Sequence, residues 1–186
     1  MRIGTTDDLF ISEPAKALHE IWLSLPREEN QLFPKRFELD FSSLPDGLRQ
    51  HVFLLSNLGE NVVSASEIGS AITAFLGEKI DGQNLVQRHG PGQMQYELPY
   101  YKAVFGQPCA GSMKRRTVNQ AGTHADFISC HLPMLDYQNQ ANYMLGVASI
   151  INVEAADENF SAVKFDQSEI LDRILVDVGG GNPNIL

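Results

Sequence analysis

The sequence predicts an α+β fold built on an antiparallel sheet. Two strand-like runs come first, at residues 51–56 and 61–67. Helical segments follow between Gly69 and Gly106, and three longer strand-like runs close the pattern at 112–120, 124–135 and 143–153. Strands gathered in groups on either side of helices, rather than alternating with them, mark an α+β chain. The connections within each group are short, so neighbouring strands must run antiparallel. A chain of 186 residues with 43% hydrophobic and 20% charged residues has ordinary globular composition, and it can bury a core without disulfide or metal staples.

The elements follow in order. Ser12 is an N-cap, with Glu13 and Pro14 in the first turn, where an acid and a proline suit a helix start. Leu18, Ile21, Trp22 and Leu25 then fall on one helical stripe, and Pro26 ends the helix. Residues 31–50 are irregular yet carry Phe33, Phe37, Leu39, Phe41, Leu44 and Leu48, so this segment is expected to wrap the domain. The run His-Val-Phe-Leu-Leu-Ser at 51–56, the turn Asn57-Leu58-Gly59-Glu60 and residues 61–67 make a hairpin. Gly69-Ser70 opens a helix with Ile72, Phe75 and Leu76 on one side, closed by Gly77. After the breaker cluster His89-Gly90-Pro91-Gly92, residues 93–106 read as a helix with Met94, Leu98, Tyr101 and Phe105 at helical spacing. A kink or restart is expected at Pro99. The three later strands form a meander with turns at Ala121-Gly122-Thr123 and 136–142. Residues 154–186 form an acidic extension in which the spacing predicts a short helix over 168–177, followed by a disordered tail from Gly179.

Taken together, these pieces resemble a PAS domain, most of all the compact single-domain PAS proteins common in alphaproteobacteria. The resemblance rests on Trp22 followed by Phe33-Pro34-Lys35-Arg36 and Asp40, and on Val52-Phe53-Leu54-Leu55 as the first core strand. It also rests on Ile68-Gly69-Ser70-Ala71-Ile72 leading into residues 75–82, on Gly106-Gln107-Pro108, and on Leu132-Pro133-Met134 with Leu145-Gly146. It covers roughly residues 9–153. The family's arginine-rich second strand is here Val62-Val63-Ser64-Ala65-Ser66-Glu67, without arginine. The resemblance implies a five-stranded sheet in spatial order 2-1-5-4-3, with helices on one face and an N-terminal cap helix. It divides the chain into a wrapping segment (1–50), a core (51–153) and a C-terminal extension (154–186).

Charge and motifs narrow the function. Lys plus Arg is 14 against 23 Asp plus Glu, a formal charge of −9. That excludes nucleic acid and an anionic membrane surface as main partners. No signal peptide or membrane-spanning run occurs, so the expected compartment is cytoplasmic, with Cys109 and Cys130 reduced. There is no nucleophile motif, P-loop, HExxH or EF-hand pattern. His124 and His131 lie seven apart on one strand and face opposite sides, so no metal is expected between them. The resemblance implies that a haem-binding member would carry an axial histidine within 93–106 and a flavin-binding one an Asn-Cys-Arg-Phe-Leu-Gln-like motif within 69–93; neither occurs, so neither haem nor flavin is expected. A small organic ligand fits the resemblance better.

Lys114-Arg115-Arg116 is the only basic cluster. Its residues either meet acids across the strands or present Arg115 to an anion. Candidate pocket residues are Phe75, Tyr100, Tyr101, Phe105, Arg115, Ile128 and Cys130. Leu18, Ile21, Trp22 and Leu25 are candidates for a homodimer interface. The expected function is a non-enzymatic sensory or scaffolding module in signal transduction. It would act through ligand binding and a protein partner, since residues outside 9–153 leave no room for an effector. The alternative is a small enzyme or carrier with an enclosed cavity, which would need His131 beside an acid in one pocket.

Overall fold

The computed structural model describes residues 1–88, 91–153, 163, 167–181 and 183. Its centre is a seven-stranded sheet: β1 (Arg2–Ile3), β2 (Val52–Asn57), β3 (Val63–Ser66), β4 (Ala110–Val118), β5 (His124–Met134), β6 (Tyr143–Val153) and β7 (Glu169–Val176). The spatial order is β1-β7-β4-β5-β6-β2-β3. Within it, the five strands expected from sequence, β2 to β6, stand in the order 2-1-5-4-3. The sheet therefore differs from the expected five strands by two more, added beyond β4. All pairings are antiparallel except β1 with β7.

β7 corrects the helix expected over 168–177. Ile170 and Ile174 are four apart, which suits a helix stripe, but here the spacing has another cause. The β4–β7 register shifts between Lys114 and Arg115, so Lys114 meets Asp172 while Arg115 meets Ile170. That bulge turns Ile170 toward one face and Ile174 toward the other. Pairing β7 on β4 also satisfies backbone groups that an edge strand leaves open. The glycines after it are not a free tail. Gly179 and Gly181 donate to Asp177 Oδ1 at 2.8 and 3.0 Å, and Gly180 lies against the Pro108 carbonyl. The acidic stretch 154–162 lies outside the described residues, as do His89 and residues 184–186.

Helices cover both faces. Over one face lie α4 (Ser70–Leu76), α5 (Leu85–Arg88) and α6 (Pro91–Gly106), which pack with Phe53, Leu55, Met113 and Phe127. α6 runs through Pro99 as one helix, where a kink or a restart was expected. α4 ends at Gly77, whose φ of 71° is the left-handed value a helix C-cap favours. Over the other face lie α1 (Thr6–Leu9), α2 (Glu13–Ser24), two single 3-10 turns (Arg36–Glu38 and Phe41–Ser43) and α3 (Asp46–Arg49). Their apolar side chains form a second core with Ile128, Cys130, Leu132 and Leu145.

α2 is placed by its own sequence. Ser12 Oγ accepts from the Ala15 amide at 3.4 Å, as an N-cap should. At the other end, the buried Trp22 indole donates to the Pro133 carbonyl at 2.9 Å. That carbonyl is available because β4 pairing with β5 ends at Gly111↔His131.

Candidate functional site

Strand parity decides what faces the helices. Along β5, Phe127, Ser129 and His131 point to the α4–α6 side, while Ile128, Cys130 and Leu132 point to the α2 side. β4 presents Met113 and Arg115 to the same side as Phe127. Between this sheet face and α4–α5 lies a cavity of about 510 Å³. That volume falls within the range of small-molecule sites, about 300–1,000 Å³. Phe53, Leu55, Ala65, Phe127 and Ala148 form its floor. Ile72, Phe75, Leu76, Ile80 and Leu85 form its roof. The phenyl rings of Phe75 and Phe127 meet edge to face, centroids 5.3 Å apart.

Two glycines shape the wall. A Cβ on Gly146 would lie 2.3 Å from the Phe53 ring, so only glycine lets that ring lie across β6. The ring then meets His131 edge-on at 5.6 Å. A Cβ on Gly111 would lie 2.5 Å from the Tyr100 hydroxyl, so glycine there lets Tyr100 pass from α6 to the sheet. The hydroxyl hydrogen-bonds to His131 Nδ1 at 2.6 Å.

Arg115, Tyr101 and His131 make the buried polar part of the wall. Arg115 forms a fully buried ion pair with Glu97 of α6, the two side chains being 4% and 0% exposed. Tyr101 lies beside them, and burial raises its phenol well above the ordinary value while Arg115 opposes that shift. His131 is pushed down to about 3, by burial first and by the charge of Arg115 second. Near neutral pH the imidazole is therefore uncharged. Ser129 also faces the cavity, only 8% exposed, and its hydroxyl makes no hydrogen bond with the described protein groups. At the cavity's exposed side stand Ser12, Glu13, His51, Ser149 and Ile150. Ser12 and Ser149 hydroxyls are 3.2 Å apart. Arg88 also lines it and is tied to Glu78 Oε1 at 2.5 Å.

Of the residues predicted from sequence, Phe75, Tyr101 and Arg115 line the cavity. Tyr100 is buried behind them and acts on His131 rather than on the cavity. Phe105 is half-buried against the same core without lining the space. Ile128 and Cys130 are corrections: they lie on the opposite face, and the Cys130 thiol donates to the Leu9 carbonyl at 2.9 Å. Their neighbours Phe127, Ser129 and His131 take the expected places. His131 itself was expected only for an enzyme, beside an acid. Its ring hydrogen-bonds instead to the Tyr100 phenol and to the Gly111 backbone, and the nearby acid Glu97 is engaged by Arg115.

Leu18 and Trp22 are buried in the chain's own second core, with Ile21 and Leu25 partly buried beside them. The stripe is therefore used within the chain. Lys114 and Arg116 meet Asp126 across the strands and hold its carboxyl below the usual range. This is the cross-strand pairing weighed from sequence. Phe53, Ser129 and Glu97 were missed. For the first two, the alternation of apolar and small residues along the strands carried the signal.

No cysteine is among the described residues that line the cavity. Burial pushes both thiols up to about 12. The site therefore does not fit a flavin that reacts with a thiol. Among the described residues, no group of three or more His, Cys, Asp or Glu is placed to hold a metal ion. No described helix is long and apolar enough to cross a membrane.

No family model matches the chain, and no curated protein matches it. Among solved structures, the light-state structure of the blue-light photoreceptor Aureochrome1 LOV is similar at 16% identity and a TM-score of 0.42, over 57% of this chain and 85% of that one. At that level of likeness, the chain's own strand order assigns the fold class. The fold is α+β and PAS-like in the order of strands β2 to β6.

Proposed function

We propose that this chain is a sensory signalling module that binds a small organic molecule between its sheet and its α4–α6 layer, and that a protein partner receives the signal. The observation that carries this reading is the cavity of about 510 Å³, lined mostly by apolar side chains. An ordinary core fills such space with side chains. Here, glycine at 146 makes room for the Phe53 ring, which borders the space without filling it. Ligand binding would then shift the helix layer over the cavity by selecting among its arrangements. With a charge of −9, the partner surface that fits is a basic protein face.

Thermal unfolding of the full chain across a library of neutral and charged small molecules tests the reading. The expected result is a saturable rise in Tm by at least one molecule, lost in Ala71→Trp, which places an indole in the cavity. If no molecule raises Tm in a way that Ala71→Trp or Ile72→Trp abolishes, the reading fails.

A further inference from the structure

The cavity's charge balance defines what it can hold. Arg115 is the basic group that sequence alone would offer to an anion. In the structure its guanidinium is committed to the Glu97 carboxylate, and both groups are buried. The pair is electrically neutral as a unit. A carboxylate entering beside Arg115 would have to share the cation with Glu97, leaving one anion uncompensated in a low-dielectric site. An ammonium entering would face the mirror problem, since Glu97 is already matched. Arg88, the second cation along the wall, is tied to Glu78 and to Gln83 Oε1. Tyr101 and His131 are both uncharged near neutral pH.

Glu13, at the exposed side, is paired with Lys16 at 2.7 Å. What remains for recognition is hydrogen bonding. Ser129 offers a hydroxyl that no described protein group uses, in a space also walled by Phe53, Phe75, Phe127 and Ile72. His131 stands two residues along the same strand and the same face, with its ring fixed by Tyr100 and Phe53. The geometry points to an uncharged, mostly apolar ligand, oriented by one hydrogen-bonding group at Ser129, with carboxylates and amines rejected. This inference rests on the ligand-binding reading above and names the ligand class.

The test uses the full chain and the fluorescent probe N-phenyl-1-naphthylamine, which is neutral. 1-Anilinonaphthalene-8-sulfonate, the same aromatic body bearing a sulfonate, is its charged counterpart. Decanol, decanoate and decylamine then compete for the neutral probe near neutral pH. The neutral probe is expected to bind saturably and to be displaced by decanol. The sulfonate, decanoate and decylammonium should each bind at least about tenfold more weakly, equivalent to about 1.4 kcal/mol. Ser129→Ala should weaken decanol by roughly two- to tenfold, the range of one net hydrogen bond. Circular dichroism confirms that each variant is folded.

Decanoate or decylammonium competing as well as decanol would overturn the neutral-ligand inference while leaving the cavity reading intact. Probe binding that persists unchanged in both Ala71→Trp and Ile72→Trp, or no probe binding at all, would overturn the cavity reading itself.

Discussion

Replacing His131 with glutamine removes a titrating group from the cavity wall and keeps a hydrogen-bonding side chain for Tyr100. The effect on stability follows from linkage. In the unfolded chain the imidazole titrates near the ordinary 6.5, and in the folded chain near 3. Its folded value is lowered, so the unfolded state binds the extra proton as pH falls through that window. The stability that His131 contributes is full above 6.5 and is lost progressively on acidification toward 3. Below the upper limit, the loss approaches about 1.4 kcal/mol for each pH unit. Between about pH 7 and about pH 5 it sums to about 2 kcal/mol, because the slope builds up only as the unfolded imidazole begins to protonate. Urea unfolding of both proteins across this range is the assay. The wild type should lose about 2 kcal/mol more than His131→Gln between those two pH values. The carboxylates of the chain titrate alike in both proteins and cancel in the comparison. Parallel pH profiles would refute the reasoning, for they would mean that folding does not hold His131 neutral.

Further outcomes are expected at three positions. Glu97→Gln leaves Arg115 buried without its counter-ion and should cost about 3–5 kcal/mol in urea unfolding, while Glu97→Leu with Arg115→Met should recover most of that loss. Trp22→Ala should cost about 3–5 kcal/mol by opening a cavity in the second core. Trp22→Phe should cost about 1–3 kcal/mol through the Pro133 carbonyl left without its donor. Gly146→Ala puts a methyl 2.3 Å from the Phe53 ring and should cost about 1–3 kcal/mol, an effect that should shrink in a Phe53→Leu background.

Much of this architecture is legible in local signals. Ser12 as N-cap, Gly77 as helix stop and the short turns of the meander are written in single residues and their spacing, and the structure uses each of them. β7 is not legible in this way. Its Ile170 and Ile174 serve opposite faces only because a bulge against β4 inserts one residue between them, a fact of the partner strand. The site was half legible for a related reason. Phe75 and Tyr101 could be placed by helical spacing. On β5 the choice between the odd and even residues needed a fixed point, which neither Ile128 nor Cys130 supplies, since both faces of the strand are buried and both sets are apolar enough. Arg115 could be placed by parity, but its partner Glu97 lies eighteen residues upstream on α6, beyond the reach of any local pattern.

The surplus acid of the chain and the neutrality of its cavity are separate facts with separate causes. A charge of −9 is tolerated because most of it lies in water, where repulsion is screened. Buried charge has no such relief and must be matched group by group. Glu97 is matched by Arg115, and Asp126 by Arg116 and Lys114. His131 avoids the cost by giving up its proton. Net charge therefore bears on the outer surface and on which protein would dock there, whereas ligand choice is set by the matched interior. The two meet at α2. Its first turn, Ser12 and Glu13, borders the cavity, and its last, through Trp22, is fixed to β5 at Pro133 on the other face of the sheet. A ligand that displaced the first turn would strain against an anchor ten residues away, so the element that spans both layers is also the one least free to move independently of either.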